Sequence, residues 1–174
     1  MQKGFIHLYY GYGKGKSSSI TGLIIRALSH DLSMALFRFF KTREKINEDR
    51  ILAKFKQCRI FYPDFSTPRF SPGIPEEDII KDQLRLFQSA QKIAETGKYD
   101  LLILDEGLDL VKYRIITAEE LIRLFRSKKQ GLEMVLTGHY MNQKLKKNAD
   151  VVTYFKKIKH YFDKGVQARK GIEF

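Results

Sequence analysis

Two short segments of this chain have residue types and spacing that could do chemistry: Gly11-Tyr12-Gly13-Lys14-Gly15-Lys16-Ser17-Ser18 and the carboxylate pair Asp105-Glu106. Alternating glycines let a backbone approach an oxyanion closely and turn successive N–H groups towards it. Lys16 then brings charge to phosphate oxygens, and the Ser17 hydroxyl is suited to ligate Mg²⁺. The usual spacing, G-x-x-x-x-G-K-[ST], would put its first glycine at position 10, where this chain has Tyr10. Asp105 and Glu106 end the aliphatic run Leu101-Leu102-Ile103-Leu104, as an acid placed near the serine-held metal would. Taken singly, the segments also read as a glycine turn and as a strand entering a polar turn. Together they predict a nucleotide phosphate site.

Such a site needs a strand, a loop and a helix in that order, and the flanks supply them. Phe5–Tyr10 is an apolar run of aromatic and branched residues, read as a buried strand. Ser17–Ser29 carries Ile20, Leu23, Ile24 and Ala27 at helical spacing. Further on, strands are expected at Met34–Phe40, Gln57–Tyr62, Tyr99–Asp105, Glu133–Thr137 and Val151–Phe155. Helices are expected at Glu48–Phe55, from Glu76 to a stop at Gly97, and at Ala118–Ser127 behind a Thr117/Glu120 capping box. Lys41–Asn47 reads as a charged loop and Pro63–Pro75 as a proline-punctuated functional loop. The alternation predicts an α/β fold: one P-loop (RecA-like) domain over residues 1–174, mostly parallel, with helices on both faces.

The bulk properties narrow the class. At 174 residues, 43% hydrophobic, the chain is long enough for a sizeable core. No apolar run is long enough to span a bilayer, and Met1-Gln2-Lys3-Gly4 lacks a signal-peptide layout, so a cytoplasmic protein with no membrane partner is expected. The lone Cys58 excludes an internal disulfide and a multi-cysteine zinc site. The net charge of +12 is dispersed along the chain, which favours a solvated basic surface over a nucleic-acid arm.

Over nearly its full length the chain resembles the P-loop ATP:corrinoid adenosyltransferases. The resemblance rests on the Gly11–Ser18 loop, Gly22 and Arg26-Ala27, Tyr99 through Glu106, Leu136-Thr137-Gly138, and Ala149-Asp150. Its most specific part is Lys159-His160-Tyr161-Phe162-Asp163-Lys164-Gly165-Val166-Gln167-Ala168 with Gly171-Ile172-Glu173-Phe174. The resemblance implies transfer of the 5′-deoxyadenosyl group of ATP to the Co(I) of a reduced corrinoid, with release of triphosphate. It implies ATP as co-substrate, Mg²⁺ as cofactor, a reductase that supplies Co(I), and a homodimer. ATP is expected reversed relative to ordinary P-loop enzymes, with its ribose turned towards the corrin. Lys16 and Glu106 are then the candidate catalytic residues, with Ser17, Asp105 and Glu106 as metal ligands. Gly11, Tyr12, Gly13, Lys14, Gly15, Lys16, Ser17 and Ser18 hold the triphosphate, and Arg26 contacts nucleotide or corrin. Phe65 and Phe70 are the candidates expected to press on the corrin face where the lower axial ligand must leave.

The chain departs from that family at three places. Its first strand begins almost at Met1, Asp64–Phe70 replaces a Gly-Phe-Thr-Trp segment, and His139 stands where an arginine usually follows Thr-Gly. A P-loop ATPase or nucleic-acid motor, a nucleoside kinase and a non-catalytic nucleotide-binding regulator are the rival readings.

Overall fold

A computed structural model describes residues 3–43, 46–67 and 71–172. Six strands form its sheet: β1 (Ile6–Tyr10), β2 (Met34–Arg38), β3 (Cys58–Phe61), β4 (Leu101–Asp105), β5 (Glu133–Gly138) and β6 (Val151–Tyr154). Their order is β3-β2-β4-β5-β1-β6, and every neighbouring pair runs parallel. Strands buried on both faces need continuous apolar runs, and β2 and β4 are buried at every position.

The helices are α1 (Lys16–Leu28), α2 (Asp49–Leu52), α3 (Glu76–Thr96), α4 (Asp109–Lys112), α5 (Ala118–Ser127) and α6 (Gln143–Lys147). Helices cover both faces, as the strand pleat requires. Alternate strand residues Met34, Leu36, Leu101, Ile103 and Val135 pack with Ile20, Ile24 and Ala27 of α1 and Leu52 of α2. Their neighbours Ala35, Phe37, Leu102, Leu104 and Leu136 pack with Leu86, Phe87 and Ala90 of α3 and Leu121 and Phe125 of α5.

The expected boundaries hold at α3, which ends on Gly97 at φ 64°, and at α5, whose Thr117/Glu120 capping box is complete. Three differ. The Met34–Phe40 run stays extended only to Arg38, because Phe40 adopts φ 58° while remaining buried. The Glu48–Phe55 helix shrinks to one turn at α2. The short helices α4 and α6 have too few residues to show a period. Cys58 is buried, and burial pushes its thiol up to about 11.

The topology brings the two chemical segments together. β1 and β4 are separated only by β5, so Thr137-Gly138-His139 lies between the glycine loop and Asp105-Glu106. All three lie at the carboxyl ends of strands in a parallel sheet, where such sheets bind ligands.

Candidate functional site: a phosphate crevice at the carboxyl edge of the sheet

The glycine loop is fastened from behind. Gly11 N–H donates to the Gly138 carbonyl at 3.1 Å and Gly13 N–H to the Phe155 carbonyl at 2.7 Å. A Cβ added at Gly11 would stand 2.4 Å from that Phe155 oxygen, and one at Gly13 2.7 Å from it. These glycines are therefore demanded by the close approach of the chain leaving β6. The inward amides expected from all three glycines are thus corrected for two of them, whose N–H groups are spent within the protein.

The remaining backbone faces a crevice of about 890 Å³, lined by Tyr12–Ser18, Asp105, Glu106, Thr137 and His139 among others. The N-cap of α1 is Gly15 at φ 114°, and no side chain caps it. The first-turn amides and the positive end of the helix dipole therefore point at the crevice. Lys16 Nζ donates to the carbonyls of Gly11 (2.6 Å) and Gly13 (3.2 Å). Burial lowers its pKa below lysine's ordinary value, against the opposing pull of Glu106, Asp109 and Asp105.

The two consecutive carboxylates have unlike surroundings. Asp105 is fully buried, and both its oxygens are engaged: Oδ1 accepts from Thr137 Oγ1 (2.8 Å), and Oδ2 from Arg38 Nη1 (2.9 Å) and Lys41 Nζ (3.0 Å). Burial favours its neutral form, but Lys41 and Arg38 overcome this and hold it well below the usual carboxylate range. Asp105, expected as a metal ligand, thus lines the crevice with its oxygens engaged by two cations and a hydroxyl. Glu106 adopts φ 61°, a conformation unusual for a residue with a side chain. Its N–H donates to Thr137 Oγ1 at 2.8 Å. Its carboxylate lies 2.8 Å from Lys41 Nζ, and burial raises its pKa despite that cation.

Behind Asp105 the network runs on. Fully buried Arg38 donates to Asp49 Oδ1 at 2.6 Å, and Tyr62 O–H donates to Asp49 Oδ2 at 2.8 Å. Asp49 lies on α2, which contributes Ile51 to the crevice lining and is preceded by the lining residues Asn47 and Glu48. Sequence reasoning missed Arg38 and Lys41: the first sits in an apolar run, and the second opens a segment that reads as solvated loop. A cation in a run of buried residues was the available signal, since buried charges require partners.

The outlying expectations fare differently. Arg26 is exposed on α1 and lies outside the crevice-lining residues. Phe65 is half-buried, also outside that lining, in a loop tied to α3. Phe70, together with Arg69, lies outside the described residues. His7 is half-buried on β1 with Nε2 2.5 Å from Glu133. Among the described residues, no group of three or more His, Cys, Asp or Glu could hold a metal ion. No helix of theirs is long and apolar enough to cross a membrane.

The chain is similar to known proteins in fold and in sequence. A KaiC-like protein from the hyperthermophilic archaeon Pyrococcus horikoshii superposes with a TM-score of 0.55 at 14% identity, over 87% of this chain and 72% of that one, a likeness of fold alone. A corrinoid adenosyltransferase from Sinorhizobium is 28% identical over 99% of this chain and 81% of its own length. Another from Pseudomonas aeruginosa is 26% identical, over 99% and 85%. The one from Escherichia coli K12 is 24% identical, over 99% and 87%. A family model described as ATP:corrinoid adenosyltransferase BtuR/CobO/CobP matches residues 2–174. With that match spanning the phosphate crevice and both ends of the sheet, the chain belongs to the ATP:corrinoid adenosyltransferase family.

Proposed function

We propose that this chain, acting as a single nucleotide-binding domain, transfers the 5′-deoxyadenosyl group of ATP to the Co(I) of a reduced corrinoid. Cobalt supplies both electrons of the new Co–C5′ bond and becomes Co(III). The C5′–O bond breaks, and its electron pair leaves with inorganic triphosphate. Cobalt is the nucleophile, so no general base is required. The protein has to hold C5′ in line and stabilise charge growing on the leaving group. The first-turn amides of α1 and Lys16 are suited to the second task, because Lys16 rests on loop carbonyls from which it can swing to phosphate oxygens.

The observation that carries this reading is the coincidence of a full-length family match with a crevice floored by an uncapped helix start. Magnesium fits through the Ser17 hydroxyl, Glu106 and phosphate oxygens, and it would neutralise charge on the triphosphate. On this reading the crevice opens towards a corrin held outside it, which Arg26 contacts and on which Phe65 and Phe70 press. A reductase supplies Co(I), the protein works as a homodimer, and its setting is the cytoplasm. Nucleic acid is no partner on this reading.

A water-activating ATPase is the second reading, favoured by the raised pKa of Glu106 beside the nucleotide crevice. Phosphorus NMR of protein, MgATP and a chemically reduced corrinoid separates the two. Adenosyl transfer releases intact triphosphate, because attack falls on carbon. ADP and phosphate appearing at the rate of turnover would overturn the proposal.

A further inference from the structure

His139 is the residue at the heart of the crevice that the transfer chemistry leaves unused. It follows Gly138, whose carbonyl accepts the Gly11 N–H, so it is tied to the glycine loop by main chain. It lines the crevice together with Lys16 and Ser17, and its ring lies 5.4 Å from that of Tyr12. Asp109, on the first turn of α4 and only 1% exposed, holds it at two points. Oδ1 accepts the His139 N–H at 2.9 Å, and Oδ2 lies 2.6 Å from Nδ1. A Cβ at Gly138 would come within 2.6 Å of Leu108 Cβ, so glycine is what lets β5 end against α4.

We propose that His139, clamped by Asp109, is a proton-linked ligand of the phosphate chain, gaining a proton as the polyanion enters the crevice. This rests on the reading that the triphosphate occupies the glycine loop. A carboxylate oxygen only accepts, so Nδ1 carries the hydrogen and Nε2 is the nitrogen that gains or loses one. Protonated, the ring is a cation that donates to phosphate oxygen, and a polyanion favours that form. Asp109 holds the ring directly, Tyr12 lies beside it with Lys112 over the Tyr12 ring, and the other charged or titratable groups that share the crevice lining are Lys14, Lys16, Glu48, Asp105, Glu106 and His160. The Lys16 and Lys112 ammonium groups oppose a further positive charge, while Asp109 and Glu106 favour it.

His160 provides an internal contrast. It too lines the crevice, but its Nδ1 accepts the Phe162 N–H at 3.0 Å. A proton placed on that nitrogen would cost the bond, whereas the His139 Nδ1 faces a carboxylate.

The test is a pH titration of the imidazole C–H resonances by NMR on the full chain, with and without magnesium tripolyphosphate. His139→Gln and His160→Gln assign the two signals. Tripolyphosphate is expected to raise the His139 midpoint by about one pH unit, a tenfold gain in proton affinity, and to leave that of His160 in place. His139→Gln should bind tripolyphosphate about tenfold more weakly at pH 6, with the gap closing towards pH 8.5. Asp109→Asn keeps an acceptor but removes the charge, and should lower the His139 midpoint. A His139 midpoint that stays or falls on binding overturns the assignment while leaving the phosphate crevice standing. Failure of native protein to bind tripolyphosphate overturns the crevice reading itself, and this one with it.

Discussion

Two loops leave carboxyl ends of strands in different parts of the same sheet, the glycine loop after β1 and Tyr62–Thr67 after β3. Their strands lie four spacings apart, about 19 Å. They dispose of their polar groups in opposite ways. In the β3 loop the amides of Asp64 and Phe65 both donate to Asp82 Oδ2 at 2.7 and 3.0 Å, and Gln83 Nε2 donates to the Phe65 carbonyl. Ser66 Oγ donates to the Phe40 carbonyl at 2.6 Å. Side chains from α3 thus consume the loop's hydrogen bonds. The glycine loop is held from behind by the Gly138 and Phe155 carbonyls and keeps its helix start uncapped. A loop built to receive a ligand leaves donors unspent, whereas one built as a wall spends them on its own scaffold.

The two regions meet at Asp105, and the contrast fails most completely there. Asp105→Ala leaves Arg38 and Lys41 without a shared carboxylate in a buried setting, and a loss of about 3–5 kcal/mol in urea unfolding is expected. Crevice and wall should be damaged together. The same group fixes an acid limit. Its folded pKa is depressed, so its stabilisation is complete above the ordinary carboxylate range and is lost as pH falls below it. Native protein should therefore lose unfolding free energy on acidification by more than Asp105→Asn does.

Lys16→Ala sharpens the contrast from the crevice side. ATP affinity by calorimetry should fall at least about 100-fold with the unfolding midpoint unchanged, because this lysine serves phosphate and not the core. Unaltered affinity would remove the phosphate-loop assignment. Asp82→Ala is the mirror experiment. It strands two loop amides and should cost about 2 kcal/mol of stability while ATP affinity stays constant. The smallest effect is expected of Phe65→Ala, about 1 kcal/mol in stability for a half-buried ring, with corrinoid turnover reduced several-fold at native ATP affinity. Turnover equal to native would mean that this wall does not face the corrin.

Much of this arrangement was legible in the residues. The alternation of apolar runs with helical periods placed six strands and the long helices, because burial on both faces leaves a continuous aliphatic signature such as Leu101–Leu104. Local chemistry located α5 through its capping box and the end of α3 through Gly97. What escaped notice depends on partners distant in sequence. Arg38 looks out of place among apolar neighbours until Asp49 and Asp105, 11 and 67 residues away, are brought to it. Phe39 and Phe40 read as strand because a buried turn and a buried strand demand the same side chains. Asp109 gave no signal at all, since its carboxylate partners a residue 30 positions further on.

The pairing of β1 also dictates when the site can exist. Residues 6–10 hydrogen-bond on one side to residues 134–138 and on the other to residues 151–154. The glycine loop takes its shape only when the Phe155 carbonyl arrives to receive Gly13 N–H. In synthesis the phosphate-binding segment therefore emerges well before the strands that complete it. Closing such long loops is slow. In pulse-labelled hydrogen exchange during refolding, the Gly11 and Gly13 amides are expected to gain protection after those of α3 and β4, in the final phase.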